Sequence, residues 1–461
     1  MAEEEENNAD VIDRMSSLPD SLLCHILSFL PTKTSVMTTS LVSRRWRHLW
    51  EHLNVFVFDD KSNCNCRNPK KFRKFAFFVS SVLSLRKSRH IRKFHLTCCT
   101  SDVYSFPGEC VYMWVRAAIG PHLEDLSLNI TNCHGDDMVY LPPSLLNCTN
   151  LVSLSLFGLI HLKFQPSAIH FPSLKMLKVE FSILEHNIDI EDFGKHLTDS
   201  ILVFLSGCPV LETLDTYFSP YFLTRVPVPP SAKRLKLTDV KFSWTCLEID
   251  SDGLGIEYGG CNIKPTFGII GNLQSMEEAY LDFFSLCESE FIDPMLKYLR
   301  DLDGDLHLLL RHSTSKKPLR SPILNYPEFC NLHHLKFIIP CFNTNLLLNV
   351  LEKCHMLKVL IIQSSKDELS PSRTWEPKST SVPKCLESHL TYIHIEGYQG
   401  FEDELAFAEY ILRNGIVLHT MLIFFDTSMD LSNKNCSIKS LTDIPRGSVT
   451  CQLKFDSAVS S

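Results

Sequence analysis

Between Leu18 and Trp50 the apolar positions keep a helical period. Leu22, Leu23, Ile26, Leu27 and Leu30 recur at i, i+1, i+4, i+5 and i+8, which predicts one amphipathic helix. Pro19, Asp20 and Ser21 supply its start: a proline ahead of the first turn, then a side chain able to accept an orphan backbone N–H. Pro31 ends the helix because it has no N–H to continue the ladder. Thr34 is placed to cap a second helix bearing Val36 and Met37, and Leu41, Val42, Trp46, Leu49 and Trp50 prolong the apolar set. So small a segment cannot bury all of these within itself. The reading therefore requires Leu22, Ile26 and Leu30 to stay uncovered by the rest of the chain.

Downstream the pattern changes. Val55 to Phe58 is a short β-like run, followed by a polar loop rich in Asn and Cys (61–69). Phe72, Phe75, Val79 and Val82 then recur at helical spacing, as do Val111, Trp114, Val115 and Ala118. From there a unit of the form L-x-x-L-x-L recurs, at Leu123/Leu126/Leu128, Leu151/Leu154/Leu156, Leu174/Leu177/Val179, Leu332/Leu335/Phe337, Leu357/Leu360/Ile362 and Leu390/Ile393/Ile395. Weaker copies are Ile91/Phe94/Leu96, Leu211/Leu214/Thr216 and Ala232/Leu235/Leu237, with Met276/Ala279/Leu281 a decayed one. The last two apolar residues alternate, as a strand with one inward face requires, and the first feeds that strand from a turn. Cys148, Cys208 and Cys354 each stand three places before a leading Leu, where a small apolar side chain would point into the turn. These are leucine-rich repeats of irregular length, which are stable only when stacked. The expected fold is α/β: a short helical N-terminus, then an irregular repeat solenoid with parallel strands on its concave face. A doubly wound α/β domain would want strand-end glycine loops that are absent.

The helical stretch resembles the F-box motif in Leu18-Pro19, Ile26-Leu27, Leu30-Pro31 and Val42-Ser43-Arg44-Arg45-Trp46. Trp375-Glu376-Pro377, then Val382-Pro383-Lys384-Cys385-Leu386, resemble the FBD region that follows F-box and repeats in a large plant family. A helix over Glu402–Arg413, stopped by Asn414-Gly415, and a strand through Leu418, Met421, Ile423 and Phe424 complete that region, which could cap the solenoid. The organisation expected is an acidic tail (1–13), F-box (14–60), irregular repeats (61–370), FBD-like region (371–455) and tail (456–461).

The resemblance implies a substrate-recognition subunit of an SCF-type (cullin-RING) ubiquitin ligase, itself non-catalytic, docking a Skp-type adaptor and through it a cullin. Carried over position by position, the adaptor contacts would be Leu18, Pro19, Leu22, Leu23, Ile26, Leu27, Leu30, Pro31, Val42 and Trp46. A protein target would meet the outward strand residues, among them Phe157, Lys178, Glu180, Asp215, Tyr217, Arg234, Lys236, His334 and Lys336. Their signs are mixed, which points to no strongly basic or phosphate-rich target, and no basic cluster is evident to seat an inositol phosphate.

Composition changes this picture little. The formal charge of −8 offers no general attraction to nucleic acid or acidic membrane. Nothing resembles a signal peptide and no apolar run approaches the ~18 residues of a membrane span, so an intracellular place, cytoplasm and/or nucleus, is expected. Eighteen cysteines in a reducing compartment predict small buried hydrophobes rather than disulfides, and none of them has C-x-x-C spacing for zinc. No phosphate loop, dinucleotide fingerprint, H-E-x-x-H or G-x-S-x-G occurs, so no cofactor, metal or catalytic residue is expected. Two other classes stay open: a repeat scaffold unlinked to ubiquitin, and a nucleic-acid regulator using the Arg44–Arg47 helix, which the two tryptophans on that helix and the acidic chain argue against.

Overall fold

The computed structural model describes residues 18–37, 39–41, 43–60, 69–100, 107–132, 139–158, 160–161, 169–180, 193–218, 225–239, 268–270, 277–283, 300, 305–310, 327–339, 342, 344–364 and 382–456. The chain divides after Lys175 into two compact units.

The first unit opens with helices α1 (Asp20–Leu27) and α2 (Thr32–Met37) and a 3-10 helix over Trp46–His52. Strands β1 (Val55–Asp59), β2 (Lys93–Thr100), β3 (Asp125–Asn132) and β4 (Ser153–Gly158) follow, all parallel and paired in sequence order. Helices α3 (Pro69–Leu85) and α4 (Pro107–Ala118) are the crossovers that parallel strands demand.

Parallel pairing in sequence order also builds the second unit. Its strands are β5 (Met176–Glu180), β6 (Thr213–Phe218), β7 (Arg234–Asp239), β8 (Glu278–Phe283), β9 (Asp305–Leu310), β10 (His334–Ile339), β11 (Val359–Ser364), β12 (Tyr392–Tyr398), β13 (Thr420–Phe425) and β14 (Gln452–Phe455). Helix α5 (Phe193–Ser206) lies between β5 and β6, and α6 (Thr344–Lys353) between β10 and β11.

The repeat positions explain both ladders. The second and third apolar residues of each copy are inward and sealed, as at Leu126/Leu128, Leu214/Thr216 and Ile393/Ile395. The residue after each leading position turns its carbonyl to the next copy and accepts two N–H groups from it. Arg92 does so for Glu124 and Asp125, Glu212 for Lys233 and Arg234, and Lys358 for Thr391 and Tyr392. The carbonyl three places before the leading residue accepts that residue's own N–H: Cys148 from Leu151, Cys208 from Leu211, Cys354 from Leu357. All three cysteines are buried, and Phe171 fills the same slot before Leu174, so the position asks for apolar character and not strictly for small size. Desolvation pushes the Cys148 thiol up to about 11 and that of Cys208 up to about 12, so both remain neutral.

Five elements depart from the sequence reading. Leu53/Phe56/Phe58 is itself a repeat copy, fully inward, so the F-box-like stretch runs into the first rung. Asp305–Leu310 and Gln452–Phe455 are strands, and α9 (Leu431–Thr442) is a helix, none of them anticipated. Ala279 and Leu281, of the copy read as decayed, are buried on a full strand, while Met276 lies outside the described residues. The Asn- and Cys-rich loop, Trp375-Glu376-Pro377 and the terminal tails lie outside the described residues.

Near the C-terminus, α8 (Glu402–Asn414) carries Phe407, Ala408, Ile411 and Leu412 inward. Gly397 and Gly400 make the turn before it at φ +78° and +81°, where an L side chain would be strained. Glu404, three residues into α8, reaches back to accept the N–H groups of Gln399 (2.9 Å) and Phe401 (3.0 Å). Burial pushes its carboxyl up to about 7, against those bonds.

Candidate docking site

The N-terminal helices are held by polar contacts that leave part of their apolar surface outside. No side chain caps α1; Pro19 precedes it, and Asp20 instead takes the Arg45 guanidinium at 2.9 Å from Nε and 2.5 Å from Nη2. The same guanidinium donates to the Leu18 carbonyl at 2.6 Å, so one arginine of the V-S-R-R-W run grips the start of the first helix. Thr34 is not a cap either. The second helix begins at Thr32, and the Pro31 carbonyl accepts from Thr34 and Ser35, so Pro31 both ends one helix and leads the next. Ser35 Oγ donates to the Leu27 carbonyl at 3.1 Å and Thr39 Oγ1 donates to the Ser35 carbonyl. Thr32 Oγ1 accepts the Val57 N–H at 2.7 Å, which ties α2 to the outer edge of β1.

The motif residues separate into two sets. Leu23, Leu27 and Trp46 are buried with Leu49 and Trp50 and hold the segment together. A 3-10 turn brings Trp46 and Leu49, three apart, onto one side. Leu22 stays 49 % exposed and Leu30 38 %, with Pro19 and Pro31 exposed and Leu18 and Ile26 half-buried. Val42 lies outside the described residues. Three exposed side chains that the sequence reading left out of the contact set join this surface: Phe29 at 75 %, Met37 at 54 % and Leu41 at 84 %. Leu22, Ile26 and Phe29 fall at i, i+4 and i+7, and that stripe was legible. Arg44 is exposed before the 3-10 helix and Arg47 within it, and seven residues of 3-10 geometry make a poor recognition helix.

The outward strand residues fall in register rows. In the first unit, Phe157 is paired with Asn129 across β3 and β4, and Asp125 takes Lys93 at 3.0 Å and His95 at 2.9 Å. Burial raises the Asp125 carboxyl, but those two cations outweigh it and hold it below the ordinary value. In the second unit, Lys178, Asp215 and Lys236 share one row on neighbouring strands, and Glu180 and Tyr217 share the next. His334 and Lys336 are separated from Lys236 by two strands. His334 is paired with Asp305 at 2.6 Å and Lys336 with Glu396 at 3.9 Å. His333, just before this strand, accepts the Lys358 and Val359 N–H groups at its carbonyl. Tyr280, His394 and Glu396 belong to the same face and were not singled out, because a single outward residue carries no periodic signal. No helix among the described residues is long and apolar enough to cross a membrane.

Comparison with known proteins matches two families. The F-box domain family matches residues 15–58 and the FBD family residues 377–423. An F-box/FBD/LRR-repeat protein of Arabidopsis thaliana is 30 % identical over 461 residues, covering 96 % of this chain and 99 % of the relative. A second Arabidopsis protein of the same description and an FBD-associated F-box protein are each 28 % identical, covering 96 % of this chain and 100 % of their own length. The matched F-box ends on β1 and the matched FBD spans α7 (Lys384–Ser388), β12 and α8, with the repeat strands between, so the chain belongs to the F-box/FBD/LRR-repeat proteins.

Proposed function

We propose that this protein is the substrate-recognition subunit of an SCF-type ubiquitin ligase. Its N-terminal helices dock a Skp-type adaptor, and through it a cullin, while its strand face receives a protein target for ubiquitination. The chain itself does no chemistry in this scheme. The observation that carries the reading is the uncovered apolar surface of a segment whose family binds such adaptors: Leu22, Phe29, Leu30, Met37 and Leu41 around Pro19 and Pro31. Burying several side chains of this size is worth roughly 1.5–3 kcal/mol each, enough for stable docking once association costs are met. Leu23, Leu27 and Trp46 serve by fixing the shape of that surface.

The test is a pull-down of the full chain on a Skp-type adaptor. Leu30→Asp with Pro31→Ala should abolish capture while the circular dichroism of the chain stays unchanged. Undiminished capture would defeat the docking reading and favour a repeat scaffold unconnected to ubiquitin.

A further inference from the structure

The first strand of the first unit and the last strand of the second are edges, and the chain treats them differently. The outer edge of β1 is closed by a side chain, since Thr32 of α2 takes the Val57 N–H there. Strand β14 pairs on one side only, with β13. Its Gln452 and Asp456 donate their N–H groups to β13, at the carbonyls of His419 and Ile423. Alternate residues of a parallel ladder bond the same neighbour, so the N–H and C=O groups of Leu453 and Phe455 point to the open edge. Among the described residues nothing takes them. The carbonyl of Cys451, next along that edge, is already held by Arg446 Nη1 at 2.7 Å.

The side chains of β14 are unfinished as well. Leu453 and Phe455 stand beside Met421 and Ile423, which are sealed, yet they are themselves only half-buried. The Phe455 ring stacks on Phe425 with centroids 5.8 Å apart. On the outward face Lys454 and Asp456 occupy alternate positions. Lys454 stands beside Leu422, and Asp456 follows in register beside Phe424, so no charge on β13 answers either. Among the described residues Lys454 has no carboxylate partner, and Asp456 Oδ1 is buried without a hydrogen bond.

We propose that β14 is a self-association edge, pairing antiparallel with β14 of a second copy of this chain about a two-fold axis at Phe455. A register that keeps the inward faces together is centred on a residue and not between two. Centring on Lys454 sets two like charges opposite each other. Centring on Leu453 makes Phe455 and Cys451 a hydrogen-bonded pair, and the Cys451 carbonyl is taken. Centring on Phe455 meets neither obstacle. The two Phe455 residues then exchange N–H···O bonds, their rings extend the Phe425 stack, and Lys454 of each copy lies opposite Asp456 of the other. A lysine alone on a short edge repels a second copy, whereas lysine with aspartate two places on attracts one in this register. Such a contact is isologous and closes at two copies.

Sedimentation equilibrium of the full chain at low salt, over a range of concentrations, is the test. The native chain should populate monomer and dimer and nothing larger, the dimer weakening as salt is raised. Lys454→Asp sets carboxylates against carboxylates, and Asp456→Lys sets ammonium groups against ammonium groups. Each should weaken self-association roughly tenfold, with circular dichroism unchanged. The two single variants mixed in equal amounts should associate with one another, and Lys454→Asp combined with Asp456→Lys should recover the native dimer. A native chain that stays monomeric at every concentration, a dimer untouched by either single change, or a double variant as weak as the single ones would each overturn the proposal. So would a dimer that survives both charge changes and is lost on Leu30→Asp, which would put the contact on the N-terminal helices.

Discussion

Two amphipathic helices in this protein meet opposite fates. The eight residues of α1 bury Leu23 and Leu27 and leave Leu22 half outside, with Phe29 and Leu30 exposed just beyond. The thirteen residues of α8 send Phe407, Ala408, Ile411 and Leu412 inward and leave no large apolar residue of the helix exposed. Both carry apolar residues at helical spacing. They differ in what surrounds them: α8 is a crossover between β12 and β13 and has a sheet to lie on, whereas among the described residues α1 packs on the 3-10 helix and is tied to α2 through Ser35. An apolar stripe on a crossover is core, and a stripe on a helix outside the ladder is available for a partner.

The sharpest way to break this comparison is to truncate one side chain on each helix. Phe407→Ala should cost about 3–5 kcal/mol, the range for emptying a buried aromatic site, and speed hydrogen exchange over Glu402–Phe425. Leu22→Ala should change stability by less than about 1 kcal/mol and register only in adaptor capture. Equal losses at the two sites would remove the distinction.

A second, somewhat smaller effect is confined to the α8 side. The Glu404 carboxyl titrates at about 7 in the fold and ionises at its ordinary 4.5 when unfolded. Unfolding between those values therefore releases a proton. The contribution is fully present below pH 4.5 and is lost as pH rises through 7, on the order of 3 kcal/mol across the window. Urea titrations at pH 5 and pH 8, followed by exchange of the α8 amides, should show this decline, and Glu404→Gln should flatten it. A region whose stability rises over that range would refute the assignment.

The smallest effect sharpens the F-box side. Thr32→Val removes the acceptor of the Val57 N–H and leaves that donor unpaired, a loss of about 1–3 kcal/mol local to α2 and β1. Exchange of the Val57 amide should quicken, while the α8 amides stay as they were.

The repeat strands were legible from sequence because a period of two, followed by a turn, is a local property. Leu123, Leu126 and Leu128 announce their burial without reference to anything distant. Leu53/Phe56/Phe58 has the same spacing and was hidden by its place at the end of the helical motif. Asp305–Leu310 was obscured by its run of leucines, and Gln452–Phe455 by its brevity, four residues with exposed Gln452 and Lys454. The docking segment was legible in outline, and its division into inner and outer residues was not. Leu22 and Leu23 are neighbours of the same chemistry, and only the packing of α1 on the 3-10 turn sends one out and the other in.

The helical N-terminus, the repeat rungs, the cysteine slots and the F-box and FBD resemblance can all be read from residue order, because each is written in spacings shorter than one structural unit. The tertiary structure alone decided which apolar residues remain outside and which strand-face charges cancel. Those outcomes depend on partners such as Asp215 for Lys178 or Glu396 for Lys336, dozens of residues away in the chain and brought within 4 Å by parallel register. Coulomb pairing and burial act through distance in space, and a linear pattern carries no record of it.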